Sequence, residues 1–337
     1  MLRSGLNAGL LGFRMMVAQR GTGLGDNGGE QMRLQLGVNN CFAAKRWPRP
    51  ADWAPLMRDA LQVDHLQLSM DLVDLDRGDE FMALQAEAIR DAAAAYGFQV
   101  HSAVTGLAAY AHNRLLHPIA TERHEARGWW ARAIAFASAI GAQGTGGFVG
   151  AFSAQDWRDP ARRTLLWNEL KRSMVDLADL AHRAGLGFFL VENLPGAREL
   201  STMEQLRQLM SEGDAEHAPV RLCLDLGHQC APGLSAADRD PYAWLREMGR
   251  AAGVIQLQQS DAAGDQHWPF TADRNRVGRI DADRVIDALS EGGVDEGTLM
   301  LKIMPPFEED DDDVIADITE SVEYWREALE RRGVLAK

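Results

Sequence analysis

Eight short apolar or alternating segments of this 337-residue chain are each followed by an amphipathic or alanine-rich stretch. Short apolar runs bounded by Gly and Pro are typical of buried parallel strands, and regular alternation with helices indicates an α/β fold. The predicted strands are 33–40, 63–70, 98–104, 144–149, 186–194, 220–227, 254–260 and 298–304. The predicted helices are 51–61, 80–96, 121–140, 158–184, 201–210, 241–252, 282–289 and 314–332. Eight such units predict a closed (β/α)8 TIM barrel, with an open doubly wound sheet as the alternative.

The segment that precedes the first predicted strand has no strand or helix periodicity. Residues 21–29 are rich in glycine and lack the spacing of a dinucleotide-binding fingerprint, so we expect no nucleotide cofactor. We therefore expect residues 1–31 to be a disordered N-terminal extension and residues 32–337 to form a single catalytic barrel domain.

Charge and cysteine content restrict the partners and the location of the chain. The sequence has 35 Lys and Arg against 49 Asp and Glu, a net charge of -14 that repels a phosphate backbone. No apolar stretch is long enough to span a bilayer. The three cysteines match no zinc-binding spacing and are typical of reduced thiols. We expect a cytoplasmic protein that binds neither nucleic acid nor membrane.

Two of the predicted strands end in an acidic residue. Glu192 closes the fifth strand and Asp225 closes the sixth. Side chains alternate along a strand, and the active sites of barrels lie at the C-terminal ends of the strands. Both carboxylates are therefore predicted to point into the mouth of the barrel.

The last two strands carry polar residues inside apolar runs. Gln256 and Gln258 alternate on the seventh strand, and Lys302 lies in the eighth. Buried amides need a metal, a substrate hydroxyl or each other as partners, and a buried lysine needs a counter-ion. Glu192 and Asp225 are the candidate counter-ions. The alternative is that Lys302 faces outward and extends between helices.

Further candidates for substrate binding follow the strand ends. Asn40 ends the first strand, Arg198 lies in the loop after the fifth, and His228 follows Asp225 by three residues. His267 and Trp268 lie in a loop that mixes aromatic and polar residues, as sugar-binding loops do. Ordinary loop or surface roles are the alternatives for each of these residues.

These motifs resemble the xylose isomerase-like TIM-barrel family of sugar phosphate isomerases and epimerases. The resemblance extends from Met32 to the C-terminus and rests on Val-Glu192-Asn, on Leu-Asp225-Leu-Gly-His228 and on the polar seventh strand. The segments Gly37-Val-Asn-Asn-Cys-Phe-Ala, Gly264-Asp-Gln-His-Trp-Pro-Phe-Thr and Met304-Pro-Pro-Phe-Glu resemble the tetrulose (erythrulose) phosphate epimerase branch.

The resemblance implies a divalent metal held by Glu, Asp, His and Glu at the ends of strands five to eight. Glu192 and Asp225 match this pattern, whereas Gln258 replaces the histidine and Lys302 replaces the second glutamate. The oxygen of Gln258 would suit Mg²⁺ or Mn²⁺. We hypothesise that Lys302 takes over part of the metal's role, by stabilising an enediolate or as a proton-transfer group with a depressed pKa.

The expected activity is proton transfer next to the carbonyl of a small ketose or ketose phosphate, with Glu192 and Lys302 as catalytic residues. His228 matches the histidine that contacts substrate in the family. Epimerisation and aldose–ketose isomerisation use the same groups and both stay open. A non-catalytic sugar-binding barrel is the alternative, while an endonuclease IV-like DNA-repair enzyme is disfavoured by the acidic charge and few histidines. The resemblance is compatible with a homo-oligomer.

Overall fold

The structure, a computed structural model, describes residues 32–211 and 213–336. The disordered extension expected at residues 1–31 lies outside the described residues, and it stays a prediction. The residues that carry the predicted strands, helices and candidate site all lie within the described part of the chain.

Eight parallel strands close into a barrel in which each strand pairs with the next one along the chain. The strands β1 and β8 complete the ring through six register pairs, from Arg33 opposite Glu296 to Val38 opposite Leu301. The predicted (β/α)8 barrel is thus confirmed, since an open doubly wound sheet would leave two edges unpaired. The strands are β1 (Arg33–Asn39), β2 (His65–Ser69), β3 (Gln99–Val104), β4 (Gly144–Gly147), β5 (Phe188–Glu192), β6 (Val220–Asp225), β7 (Ala252–Leu257) and β8 (Glu296–Leu301).

Helices cover the outside of the barrel. They are α1 (Pro50–Asp59), α2 (Asp79–Tyr96), α3 (Ala120–Ala139), α4 (Ala154–Arg158), α5 (Pro160–Arg183), α6 (Met203–Leu209), α7 (Pro241–Met248), α8 (Ala272–Asn275), α9 (Ala282–Glu291) and α10 (Asp311–Arg331). The sequence pattern did not predict α4 and α8, because helices of 5 and 4 residues complete about one turn and show no periodicity. Among the described residues, none of the helices is apolar over a sufficient length to cross a membrane.

The start of α5 illustrates how local chemistry sets these boundaries. The Asp159 carboxylate accepts hydrogen bonds from the backbone N–H groups of Ala161 and Arg162, and Pro160 occupies the first helical position. An acidic N-cap followed by proline is a strong start signal, because proline lacks the N–H that would otherwise go unpaired. The helix therefore begins two residues later than the pattern predicted.

The barrel interior changes from apolar to polar toward the C-terminal ends of the strands. Val104, Leu190, Cys223, Val254 and Met300 form a small cluster separate from the main core between strands and helices. Because side chains on one face recur every second residue, the next inward positions above this cluster are Glu192, Asp225, Gln256 and Lys302. The apolar layer closes the barrel beneath these polar groups, which form the floor of its mouth.

Candidate active site

The amino group of Lys302 lies at the centre of a buried set of polar groups, called here the lysine cluster (Glu192, Asp225, Gln256 and Lys302). Nζ donates hydrogen bonds to Glu192 Oε1 at 2.8 Å, to Asp225 Oδ2 at 3.0 Å and to Gln256 Oε1 at 3.0 Å. Lys302 is 2% exposed. The alternative of an outward-facing Lys302 is therefore wrong, and the two strand-end acids are its counter-ions.

The Lys302 amine is an ammonium at neutral pH. Burial by itself would lower its pKa, but the charges of Glu192 and Asp225, together with Tyr110, raise the pKa well above its usual value. The predicted alternative of a proton-transfer lysine with a depressed pKa is therefore wrong, because two adjacent carboxylates outweigh desolvation. The protonated amine favours the other predicted role of Lys302, which is to stabilise the negative charge of an enediolate.

A chain of buried amides fixes the orientation of Gln256. Its Nε2 donates to Gln67 Oε1 at 2.7 Å, which also accepts from Asn39 Nδ2 at 2.8 Å. Gln67 in turn donates to Ser102 Oγ at 3.2 Å. Because the Gln256 amide nitrogen donates to Gln67, the Gln256 amide oxygen faces Lys302. The polar groups expected inside the seventh strand thus find partners in other side chains of the barrel.

Tyr110 holds the other oxygen of the Glu192 carboxylate. Its hydroxyl donates to Glu192 Oε2 at 2.9 Å, and its ring packs against Phe148 at 4.9 Å between centroids. Burial and the charge of Glu192 raise the pKa of Tyr110 well above its usual value, so the phenol keeps its proton. Sequence reasoning missed Tyr110, because it lies in a short 3-10 helix after β3 without any recognisable motif.

Asp225 is fixed by its backbone and by the loop that follows it. Asn193 exchanges two hydrogen bonds with the Asp225 backbone, at 2.9 and 2.7 Å. Asp225 Oδ1 accepts from Gly227 N at 2.9 Å and from Gln258 Nε2 at 3.0 Å. Although burial opposes it, the charges of His228, Lys302 and His267 lower the pKa of Asp225, which is therefore ionised.

Two histidines and an aspartate adjoin Asp225 and form the histidine cluster (Asp225, His228, Asp265 and His267). His228 Nε2 lies 3.5 Å from Asp225 Oδ2 and 3.4 Å from Asp265 Oδ2, and His267 Nε2 lies 3.3 Å from the latter oxygen. Burial opposes protonation of His228, but Asp225 and Asp265 raise its pKa to about 10. Asp265 itself has a pKa lowered by the two histidines against the effect of burial.

The structure brings His228 and His267 together with the strand-end acids, as the sequence predicted for the barrel mouth. Sequence reasoning missed Asp265, although it stands two residues before His267. The sequence signal that could have identified Asp265 is the spacing Asp-Gln-His in a loop that follows a polar strand. Ligand atoms of Asp225, His228 and His267 all lie within 4.8 Å of one another, a group that could hold a metal ion.

Gln258 presents its nitrogen, rather than its oxygen, to the carboxylates. Its Oε1 accepts from the backbone N–H of His267 at 2.5 Å and from Ser260 Oγ at 3.0 Å, whereas Nε2 donates to Asp225 and Asp265. A side chain at Gly227 would collide with this amide, so the glycine permits the approach.

A divalent ion between Glu192, Asp225 and Gln258 does not fit the residues present. The Lys302 ammonium already lies within 3.0 Å of both carboxylates, and an ammonium repels a cation. The Gln258 oxygen that would serve as a ligand is committed to other donors. The position implied by the family resemblance is therefore occupied by a positive charge of the chain itself.

The remaining predicted site residues lie around this centre. Asn40 is buried, and within the described part of the chain its Nδ2 has no hydrogen-bond partner, although its oxygen accepts from Ser69 N at 2.8 Å. Trp268 is half-buried beneath the guanidinium of Arg274, 4.4 Å from the ring centroid. Arg198 is exposed and donates to Phe152 O at 3.3 Å, without contact to either cluster. Their binding roles stay predictions.

Two cavities lie near the barrel mouth. One of about 170 Å³ is lined by His267, Trp268 and residues that follow β8. A larger one of about 930 Å³ lies between α7 and α9, is lined by Arg239 and Arg279, and includes no residue of either cluster. We place the site at the clusters because they hold the buried charged groups, which the larger cavity lacks.

Comparison with known proteins gives consistent matches. The sequence profile described as "Xylose isomerase-like TIM barrel" matches residues 60–330. The crystal structure of a "Putative Xylose isomerase" from Rhodospirillum rubrum is 32% identical, with a TM-score of 0.80 over 87% of this chain and 99% of that chain. A protein of Brucella abortus named D-erythrulose 1-phosphate 3-epimerase is 27% identical over 299 residues, which cover 87% of this chain and 96% of the relative.

A more distant structure shares only the fold. D-psicose 3-epimerase from Clostridium cellulolyticum, solved with D-tagatose, is 15% identical, with a TM-score of 0.65 over 88% of this chain and 99% of that chain. At this identity the similarity supports the barrel architecture, and function has to be argued from the site itself.

Proposed function

Because the chain belongs to the xylose isomerase-like TIM-barrel family, we propose that it is a 3-epimerase of a small ketose phosphate. D-Erythrulose 1-phosphate is the first substrate to test, since the relative from Brucella abortus is named for it. The observation that carries the proposal is the buried pair of Glu192 and Lys302 at the barrel mouth, 2.8 Å apart. It combines a carboxylate base with a fixed positive charge.

The two groups supply what epimerisation next to a carbonyl requires. Glu192 removes the proton on C3, and the electrons of the C–H bond move into an enediolate. The Lys302 ammonium stabilises the negative charge that develops on the carbonyl oxygen. A proton that comes from solvent on the opposite face of C3 completes the inversion, and Glu192 releases its proton to solvent and becomes a carboxylate again. Tyr110 and Gln256 hold Glu192 and Lys302 in these orientations.

Substrate contacts are assigned to the residues around the clusters. The unpartnered Asn40 Nδ2 is a donor for a substrate hydroxyl, and Trp268 offers an apolar face to the carbon chain. His228, His267 and Arg198 complete the binding residues, with Arg198 at the rim as the candidate for the phosphate.

A cytoplasmic location and a homo-oligomeric assembly belong to the same proposal. Cys41, Cys223 and Cys230 are all free and buried. Burial raises the pKa of the thiols of Cys41 and Cys230 to about 12, so these stay protonated and unreactive. Unpaired cysteines are usual in a reducing compartment.

Proton exchange in heavy water tests the function directly. We expect D-erythrulose 1-phosphate, incubated with the protein in D₂O, to gain deuterium at C3 while its C3 epimer accumulates, because the enediolate is reprotonated from solvent-exchanged groups. Carbon and proton NMR measure the deuterium uptake. Optical rotation measures the epimerisation, because C3 is the only stereocentre of this substrate and the two forms have opposite rotations. With free D-erythrulose, whose C1 hydroxyl is not esterified, formation of an aldose would indicate an isomerase instead. Saturable binding of the phosphate without deuterium uptake would support the non-catalytic sugar-binding barrel.

A further inference from the structure

Two imidazole nitrogens and two carboxylates converge next to the lysine cluster. We propose that the histidine cluster binds one divalent transition-metal ion, at a position displaced from the one that Lys302 fills. The ligand atoms are the Nε2 atoms of both histidines together with carboxylate oxygens of Asp225 and Asp265. The proposal concerns ion binding and does not rest on the proposed epimerase activity.

Three of the distances between the candidate ligand atoms are those of a shared ion. His228 Nε2 lies 3.5 and 3.4 Å from oxygens of Asp225 and Asp265, and His267 Nε2 lies 3.3 Å from Asp265 Oδ2. Ligands bound at about 2.1 Å to one ion are separated by about 3.0 to 3.4 Å when adjacent.

Both histidines are oriented by backbone carbonyls from the opposite side of the ring. His228 Nδ1 lies 2.6 Å from Asn193 O, and His267 Nδ1 lies 3.3 Å from Lys302 O. With Nδ1 next to these carbonyls, Nε2 is the nitrogen of each ring that faces the cluster, where His267 Nε2 also lies 3.4 Å from Gln258 Nε2. This is the arrangement by which proteins fix the tautomer of metal-binding histidines.

Gln258 bonds only one oxygen of each carboxylate. Its Nε2 donates to Oδ1 of Asp225 at 3.0 Å and to Oδ1 of Asp265 at 2.7 Å. The Oδ2 atoms of both residues face the histidines. Asp225 Oδ2 also accepts from Lys302 Nζ at 3.0 Å, so an ion would share this oxygen with the ammonium. Gln258, the residue that departs from the family pattern, thus orients the carboxylates toward the displaced site instead of providing a ligand.

His267 adopts a backbone conformation that side chains rarely take. Its φ is 52°, in the left-handed region that favours glycine. The conformation is held by the hydrogen bond from His267 N to Gln258 Oε1 and turns the imidazole toward Asp265. Retained strain of this kind is typical of binding sites.

The charge balance favours a dication. Glu192, Asp225 and Asp265 carry three negative charges against the single positive charge of Lys302, which leaves two unbalanced charges in a mostly buried site. A divalent ion would offset both, and it would bind the imidazoles as neutral rings.

The donor set also selects the type of ion. Imidazole nitrogen suits Zn²⁺ and the other late first-row ions, whereas Mg²⁺ and Ca²⁺ prefer oxygen ligands throughout. We therefore expect Zn²⁺ or Co²⁺ rather than the Mg²⁺ or Mn²⁺ that an oxygen-rich site with Gln258 would have favoured.

Metal titration of matched variants tests the proposal. Full-length protein, freed of metal with a chelator, is titrated with Zn²⁺ by calorimetry and with Co²⁺ by visible absorption. We expect one ion per chain. His267→Asn, in which Asn tolerates the left-handed backbone, is expected to weaken binding by about 100-fold or more. Glu192→Gln, which removes none of the proposed ligands, is expected to weaken binding by no more than about tenfold, since it removes one nearby negative charge and no ligand atom.

The two variants also discriminate between the two positions for the ion. If Glu192→Gln lost the ion while His267→Asn kept it, the ion would lie at the family position and the proposal would be wrong. Absence of stoichiometric binding by the unmodified chain would overturn it as well. Circular dichroism of each variant confirms that the barrel is intact, and Asp265→Asn serves as a second variant if His267→Asn does not fold.

Discussion

Lys302→Met is expected to lower the free energy of unfolding by about 3–5 kcal/mol, because the change leaves two buried carboxylates without their counter-ion. Glu192 and Asp225 are both 1% exposed or less, so water cannot take the place of the ammonium. Urea unfolding followed by circular dichroism measures the loss. Lys171→Met, on the surface helix α5, is the matched control, and we expect it to change the stability by no more than about 0.5 kcal/mol.

A double-mutant cycle separates charge from packing. Glu192→Gln in the Lys302→Met background removes one of the stranded charges, so we expect the double variant to be more stable than the sum of the two single changes predicts. Additive losses would mean that Lys302 stabilises the barrel through its aliphatic chain and not as a counter-ion. This result would also remove the basis for its proposed electrostatic role in catalysis.

The barrel could be predicted from the sequence because its strands and its helices each have a characteristic pattern of apolar residues, and the two patterns alternate along the chain. Strands buried on both faces read as apolar runs, and helices packed on one face show the 3.6-residue period. The acids Glu192 and Asp225 could be placed at the mouth because they end such runs. The strand bounds found in the structure differ from the predicted ones by up to three residues, mostly because the predicted strands extend too far at their C-terminal ends.

The detailed chemistry of the site could not be predicted from the sequence. The direction of Lys302 depends on the strand register, which the pairing of β8 with β7 and β1 sets. The orientation of the Gln258 amide depends on which group meets the backbone N–H of His267. Tyr110 lies in a 3-10 helix of five residues and Asp265 in a loop, and neither is long or regular enough for a sequence period to reveal its neighbours in space.

Lys302 stands on the eighth strand where the family pattern has a glutamate. Its presence explains why the histidine of the seventh strand is replaced as well, by Gln258. Once Lys302 fills the position between Glu192 and Asp225, a metal-binding residue at Gln258 would face an ammonium instead of an ion. An amide there can donate to Asp225 and Asp265 and accept from His267. The lysine and the glutamine are therefore mutually consistent, and they argue against a chain that has merely lost its metal site.

Glu192→Gln is expected to reduce deuterium incorporation at C3 of D-erythrulose 1-phosphate by about 10²–10⁴-fold, the range over which a general base contributes. The amide keeps the size of the side chain and its bond to Tyr110 but cannot accept the proton. We expect substrate affinity, measured by calorimetry, to stay within about threefold, because the lost group acts in the transition state.

Glu199→Gln is the matched control for this experiment. Glu199 lies in the loop after β5, and its carboxylate accepts from Gly196 N at 2.9 Å without touching the lysine cluster. A glutamine oxygen can keep this hydrogen bond, so we expect near-normal exchange. If Glu192→Gln retained full exchange while Lys302→Met abolished it, the base would have to be another group. The only other carboxylate bonded to Lys302 among the described residues is Asp225, and the assignment of the base would move there.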